Sequence, residues 1–244
     1  MHNYHQPYSR ISGSNTIVVC VHGIQGSPQQ FRYLVTNLPA GIDYMCVLLP
    51  GHGATIKQFR KCGKKEWIAY FSDLCSDLRR TYERIYFVGH SLGCLIGIEA
   101  MMQGTIHFDG MLLIACPLKI RLSMRYLSMA LRSVQAKPAL SVYLRAMQDA
   151  NSVSLRYPLE MLSCVKPYMG LLLLIIRANR AIRHLDVPVC LVQSAKDEIV
   201  SPRSIKVVRD IHNIKSVIVP NSGHFFYPPL AQEIIRRELD ALMG

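Results

Sequence analysis

No apolar run in the 244-residue sequence approaches the roughly 18 to 20 residues that a membrane span requires. The longest, residues 169–176, is expected to be a buried segment instead. The first fifteen residues, with His2, His5, Pro7, Arg10 and Asn15, hold no apolar stretch of the kind a secretory signal uses, and a cytoplasmic location is expected. The eight cysteines form no C-x-x-C pair and several sit in apolar runs, so they are read as small hydrophobes, with no disulfide or zinc framework. Acidic side chains are scarce, 16 against 28 basic ones, which leaves a net charge of +12. At 50% hydrophobic and 18% charged residues, the composition excludes intrinsic disorder and fits one large, well-buried domain.

Short apolar, largely β-branched runs recur at 16–21, 44–49, 85–89, 111–115, 188–193 and 216–220. They lack the polar alternation of half-exposed strands, and helix-like stretches separate most of them. Strands buried on both faces and joined by long crossovers imply a parallel, doubly wound α/β sheet. One interval breaks the rhythm. About 70 residues separate the runs ending at Ala115 and beginning at Pro188, far more than one crossover helix needs. Helix-like pieces at 122–134 and 139–149, broken by Pro138, Pro158 and Pro167, mark this segment as an inserted cap. The expected organisation is a core of residues 1–115 and 187–244 and a cap of residues 116–186.

The sharpest chemical signal is Gly89-His90-Ser91-Leu92-Gly93, with an apolar strand before it and a helix-forming stretch, 94–102, after it. A serine in G-x-S-x-G sits on a tight, strained turn that lifts its hydroxyl above the carboxyl edge of the sheet. The hydroxyl needs a base and an orienting acid further along the chain. His224, in Asn221-Ser222-Gly223-His224, and Asp197, in Ser194-Ala195-Lys196-Asp197-Glu198, follow two late strands in the expected order. Glu198 is a rival by adjacency, and Asp186 lies at the wrong end of its strand. His22, His52 and His90 lie in or beside glycine turns and are read as structural, His90 bracing the elbow. Backbone N–H donors for a tetrahedral oxyanion are expected from Leu92, directly after the serine, and from Ile24 in the glycine-containing loop 21–28.

With these motifs in place the chain resembles the α/β-hydrolase superfamily, and within it the bacterial carboxylesterases and monoacylglycerol lipases. The resemblance spans nearly the whole core: His22-Gly23 with Gly26-Ser27-Pro28, Leu49-Pro50-Gly51-His52-Gly53, Trp67 opening a helix, Gly89 to Gly93, Asp197-Glu198 with Pro202 beyond, and Ser222-Gly223-His224. It implies a triad of Ser91, Asp197 and His224, an oxyanion hole of Ile24 and Leu92, and no metal or organic cofactor. Relatives often carry a second glycine where this chain has Cys94. The short N-terminus leaves little room for the antiparallel edge strands of larger members, so six or seven mostly parallel strands are expected.

The 116–186 segment holds eleven basic residues against three acidic ones, and five of the eleven methionines. The plainer reading is a solvated helical surface with methionines filling its core. The other is a lid over an acyl pocket whose basic side makes peripheral contact with anionic lipid. No nucleic-acid module or aromatic-interleaved basic stripe is present. The expected activity is hydrolysis of small-molecule acyl esters through an acyl-enzyme, with short-to-medium acyl esters or monoacylglycerols implied by resemblance. The alternatives are a thioesterase, amidase or lysophospholipase with the same triad, or a non-catalytic ligand receptor on the same fold.

Overall fold

The computed structural model describes residues 5–119, 142–154 and 158–244. Seven strands form one sheet in the order β1-β3-β2-β4-β5-β6-β7. They are β1 (Tyr8–Arg10), β2 (Thr16–Val21), β3 (Asp43–Val47), β4 (Arg84–His90), β5 (Gly110–Ile114), β6 (Val189–Ser194) and β7 (Ile214–Val219). All neighbours are parallel except β1, which runs antiparallel to β3. The expected mostly parallel sheet is therefore present, at the upper of the two strand counts. The edge strand β1 carries no apolar run, only Tyr8-Ser9-Arg10, and is held in part by Arg10, whose guanidinium donates to the carbonyls of Leu38, Pro39 and Ile42.

The apolar strands divide their side chains between two cores, as the two-residue period of a strand requires. In β2, Ile17, Val19 and Val21 join one cluster, while Val18 and Cys20 join the other. Helices α1 (Lys64–Thr81), α2 (Leu92–Met102) and α4 (Val165–Ala181) cover the first face, and α5 (Pro229–Met243) covers the second. Helix α1 turns Trp67, Ile68, Phe71, Cys75 and Leu78 inward, spacings that fall on one helical face.

Between β5 and β6 the described part of the inserted segment contains α3 (Val142–Ala150), a 3₁₀ turn (Pro158–Ser163) and α4. The 122–134 stretch lies outside the described residues. Helix α4 packs on α2 and α1, so it belongs by contact to the layer that covers the sheet. Its Arg177 donates at 2.8 Å to Glu99 of α2, a carboxylate only 3% exposed, and Lys64 of α1 approaches the same group at 3.8 Å. Residues 169–176 differ from the expectation of burial. Gly170, Leu174 and Ile175 face inward, whereas Met169, Leu172, Leu173 and Ile176 face outward, because a helix lying on one layer hides only one side.

Strand order reverses between β2 and β4, which leave their shared border toward β3 and β5 respectively. At such a switch point the loops leaving the carboxyl ends diverge and open a crevice. The loop after β2 and the turn after β4 meet there, and packing at this junction is extreme. A Cβ on Gly93 would lie 1.9 Å from the carbonyl oxygen of Val21, and one on Gly89 would lie 2.6 Å from the amide nitrogen of Cys94. Cys94, at the same junction, directs its thiol to the carbonyls of Gly89 and Ile114 at 3.1 and 3.3 Å. Gly93→Ala should therefore lower stability by at least about 2 kcal/mol, read as a shifted urea midpoint; an unchanged midpoint would disprove the contact.

Candidate active site

Ser91 is the last residue before α2 and has φ 51° and ψ −112°. A side-chain-bearing residue at positive φ is strained, and here surrounding bonds hold it. Its N–H donates to the Ile114 carbonyl at 2.9 Å, and its own carbonyl accepts from Cys94 at 3.1 Å. The loop after β2 lies directly against it, since a Cβ on Gly23 would stand 3.1 Å from Ser91 Cβ. Ser91 Oγ makes no hydrogen bond among the described residues, which leaves it available to a substrate and a base.

His224 arrives in the loop after β7 and is 2% exposed. Its Nδ1 stands 2.9 Å from Asp197 Oδ2 and 3.1 Å from Oδ1. Asp197 is fixed in turn by the amides of Ile199 and Val200, which donate to Oδ1 at 2.9 and 2.7 Å. Bonding of Nδ1 to a carboxylate places the ring proton on that side and leaves Nε2 as an acceptor. The neighbouring Glu198 contacts the same histidine differently: its Oε2 accepts the His224 backbone N–H at 2.9 Å. One carboxylate thus orients the ring and the other the main chain, a division that sequence adjacency alone does not reveal.

The structure brings Asp197 and His224 into direct contact and joins the serine turn to them through His90. His90 Nε2 donates to the His224 carbonyl at 2.9 Å, and the two rings lie 4.9 Å apart. Tyr227 adds a second donor to that carbonyl at 3.2 Å, a contact with no signal in the sequence. No hydrogen bond joins Ser91 Oγ to His224 among the described residues.

The amides of Leu92 and Ile24 face no acceptor among the described residues. Leu92 opens α2, where the first N–H groups have no partner within the helix. In the loop after β2, Gln25 donates to His52 Nε2 at 3.0 Å and Gly26 to the Gly23 carbonyl at 2.9 Å. Gly23 reaches Gln30 Oε1 at 3.5 Å. His22 anchors the same loop, its Nε2 accepting from Leu49 at 3.0 Å and its Nδ1 donating to the Gly23 carbonyl at 2.8 Å. A cavity of about 270 Å³ adjoins the serine turn, bounded in part by His90, Tyr33, Phe225, Tyr227 and Ala146 of α3. Among the described residues no three His, Cys, Asp or Glu side chains converge as a metal site.

Burial holds three histidines neutral. It lowers His52 to about 4, lowers His90 to about 3 with help from nearby His224, and drives His22 well below its ordinary value. Unfolding returns each to an ordinary value of about 6.5. Below that pH the unfolded chain binds protons that the folded chain refuses, so stability falls with pH, by about 1.4 kcal/mol per unit for each ring until its folded value is reached. The urea midpoint should be flat from about pH 8 to 7 and fall steeply between about pH 6 and 4. A midpoint constant down to about pH 4.5 would contradict neutral burial of these rings.

Residues 18–236 match the sequence profile of the alpha/beta hydrolase family. No curated protein sequence matches the chain. Among solved structures, one from the metagenome-derived lipolytic enzymes LipS and LipT is similar at TM-score 0.75 and 20% identity, covering 99% of this chain and 98% of that one. The monoacylglycerol lipase of Paleococcus ferrophilus is similar at TM-score 0.69 and 18% identity over 97% of both chains. The thioesterase domain of the curacin biosynthetic pathway is similar at TM-score 0.63 and 15% identity, covering 98% and 94%. At such identities these likenesses speak to the fold, and they agree with the profile, which spans all but the two ends. The chain belongs to the alpha/beta hydrolase family.

Proposed function

We propose that the protein is a serine hydrolase that cleaves carboxylic esters through an acyl-enzyme on Ser91. The observation that carries this reading is the buried Asp197–His224 pair, bonded at 2.9 Å and tied by His90 to a strained serine turn. Ser91 Oγ attacks the ester carbonyl carbon as its proton passes to His224 Nε2. The amides of Ile24 and Leu92 receive the negative oxygen. Collapse breaks the bond to the leaving alkoxide, which takes the proton from His224. Water then adds to the acyl carbon with His224 as base, and the second collapse releases the acid and restores Ser91. Asp197 holds the ring in the tautomer that accepts at Nε2 and stabilises its charged form. Residues 116–186 are read as the cover of this site, with α4 as the end that joins the helical layer. The esterase and lipase neighbours support an acyl ester as substrate, and the thioesterase neighbour makes the leaving group the variable to be measured.

A panel of p-nitrophenyl esters, thioesters and anilides tests the reading, with esters expected to turn over fastest. Ser91→Ala should lower kcat by about 10⁵-fold or more with an unchanged urea midpoint. Asp197→Asn should cost roughly 10³ to 10⁴-fold, and Glu198→Gln only about tenfold, because Glu198 supports the main chain of the base and leaves its tautomer alone. Full activity in Ser91→Ala would eliminate the mechanism; equal losses for the two acid variants would reassign the acid.

A further inference from the structure

Beside the serine turn a second polar network ties the inserted segment to the core. Ser152 is buried, although it follows α3 in a stretch remote in sequence from every motif. Its N–H donates to the Gln25 carbonyl at 2.8 Å. Its hydroxyl donates to the Gly26 carbonyl at 2.5 Å, with the Gln25 carbonyl at 3.3 Å, and accepts from the Gly53 N–H at 3.1 Å. Two further backbone bonds fasten the same stretch, Ser154 N–H to Ala54 at 3.0 Å and Ile56 N–H to Ser154 at 3.2 Å. From the opposite side His52 Nε2 accepts the Gln25 N–H at 3.0 Å.

Gln25 lies at the centre of this network with φ 53°, a conformation that a side-chain-bearing residue adopts only under constraint. Its N–H is taken by His52 and its carbonyl by Ser152. The next residue is committed as well, Gly26 N–H to Gly23 and Gly26 carbonyl to Ser152. With these four groups occupied, the Ile24 N–H still faces no acceptor among the described residues. The Ile24 N–H belongs to the Gly23–Ile24 peptide, whose carbonyl is held by the Gly26 N–H and His22 Nδ1; rotation of the following peptide, Ile24–Gln25, breaks the His52 bond. Rotation of the next peptide breaks two bonds to the inserted segment.

We propose that Ser152, together with His52, is a positioning residue that presets the oxyanion loop, so that seating of the inserted segment at this corner is a condition for turnover. This rests on the serine-hydrolase reading. Residues 152–154 therefore stay seated on residues 25–26 and 53–56 during the chemical step.

The test combines kinetics with amide hydrogen exchange on the full chain. Ser152→Ala removes a donor and an acceptor, and His52→Leu removes the acceptor for Gln25. Each should lower kcat about 10- to 100-fold while KM stays within about twofold, because the loss falls on the transition state. Ser152→Thr and His52→Gln keep the required polar atoms and should recover most of the rate. In Ser152→Ala the amides of Gln25 and Gly26 should exchange about tenfold faster, with those inside α2 unchanged. An undiminished kcat in both deletion variants, a loss confined to KM, or no rescue by the polar replacements would overturn the proposal. If the wild-type chain turns over no ester, thioester or anilide, the serine-hydrolase reading fails. Exchange then decides the clamp: faster exchange at Gln25 and Gly26 in Ser152→Ala supports it, and unchanged exchange overturns it.

Discussion

Everything at the site depends on how closely the β4–α2 turn approaches β2. A left-handed serine between a strand and a helix is unfavourable, and it persists because the packing around it admits no alternative path. Gly93 permits α2 to press on the Val21 carbonyl, and Gly89 permits the strand to pass the amide of Cys94. That contact also brings the loop after β2 against Ser91, through Gly23. One steric constraint thus sets the path of the serine turn and seats the loop after β2 against it.

Neutral histidines then wire the loops to one another. His22 links the loop after β2 to Leu49, His52 links Gln25 to the loop after β3, and His90 links the serine turn to His224. In His22 and His52 the neutral imidazole serves as donor on one side and acceptor on the other, joining a carbonyl to an amide, whereas His90 only donates, to the His224 carbonyl. Each such bond contributes about 1 kcal/mol net, yet leaving a buried partner unmade costs about 1 to 3 kcal/mol. Burial that keeps these rings uncharged at neutral pH is therefore what preserves the loop geometry.

Much of this was legible in the sequence. The apolar runs fall on β2 to β7 with ends displaced by a residue or two, because strands buried on both faces must be apolar throughout. The elbow was legible because its glycines answer a local steric demand. Strand β1 was missed, since three half-exposed residues give no pattern and pair only because β3 offers a free edge. Hydropathy alone cannot say which side of a helix faces a layer, and half of residues 169–176 accordingly face outward. Ser152 had no signal at all, being one serine among many in a polar stretch.

By itself the sequence determined the parallel sheet, the strained serine turn and the order in which serine, acid and histidine appear, because each follows from patterns within a few residues. Only the tertiary structure decided which of two adjacent carboxylates meets the His224 ring, which amides of the loop after β2 are bonded, and where residues 152–154 are fastened. Asp197 and His224 are 27 residues apart, and Ser152 and Gln25 are 127 apart. Contacts over such separations depend on strand order and loop conformation together, and no local stretch of the chain encodes them alone.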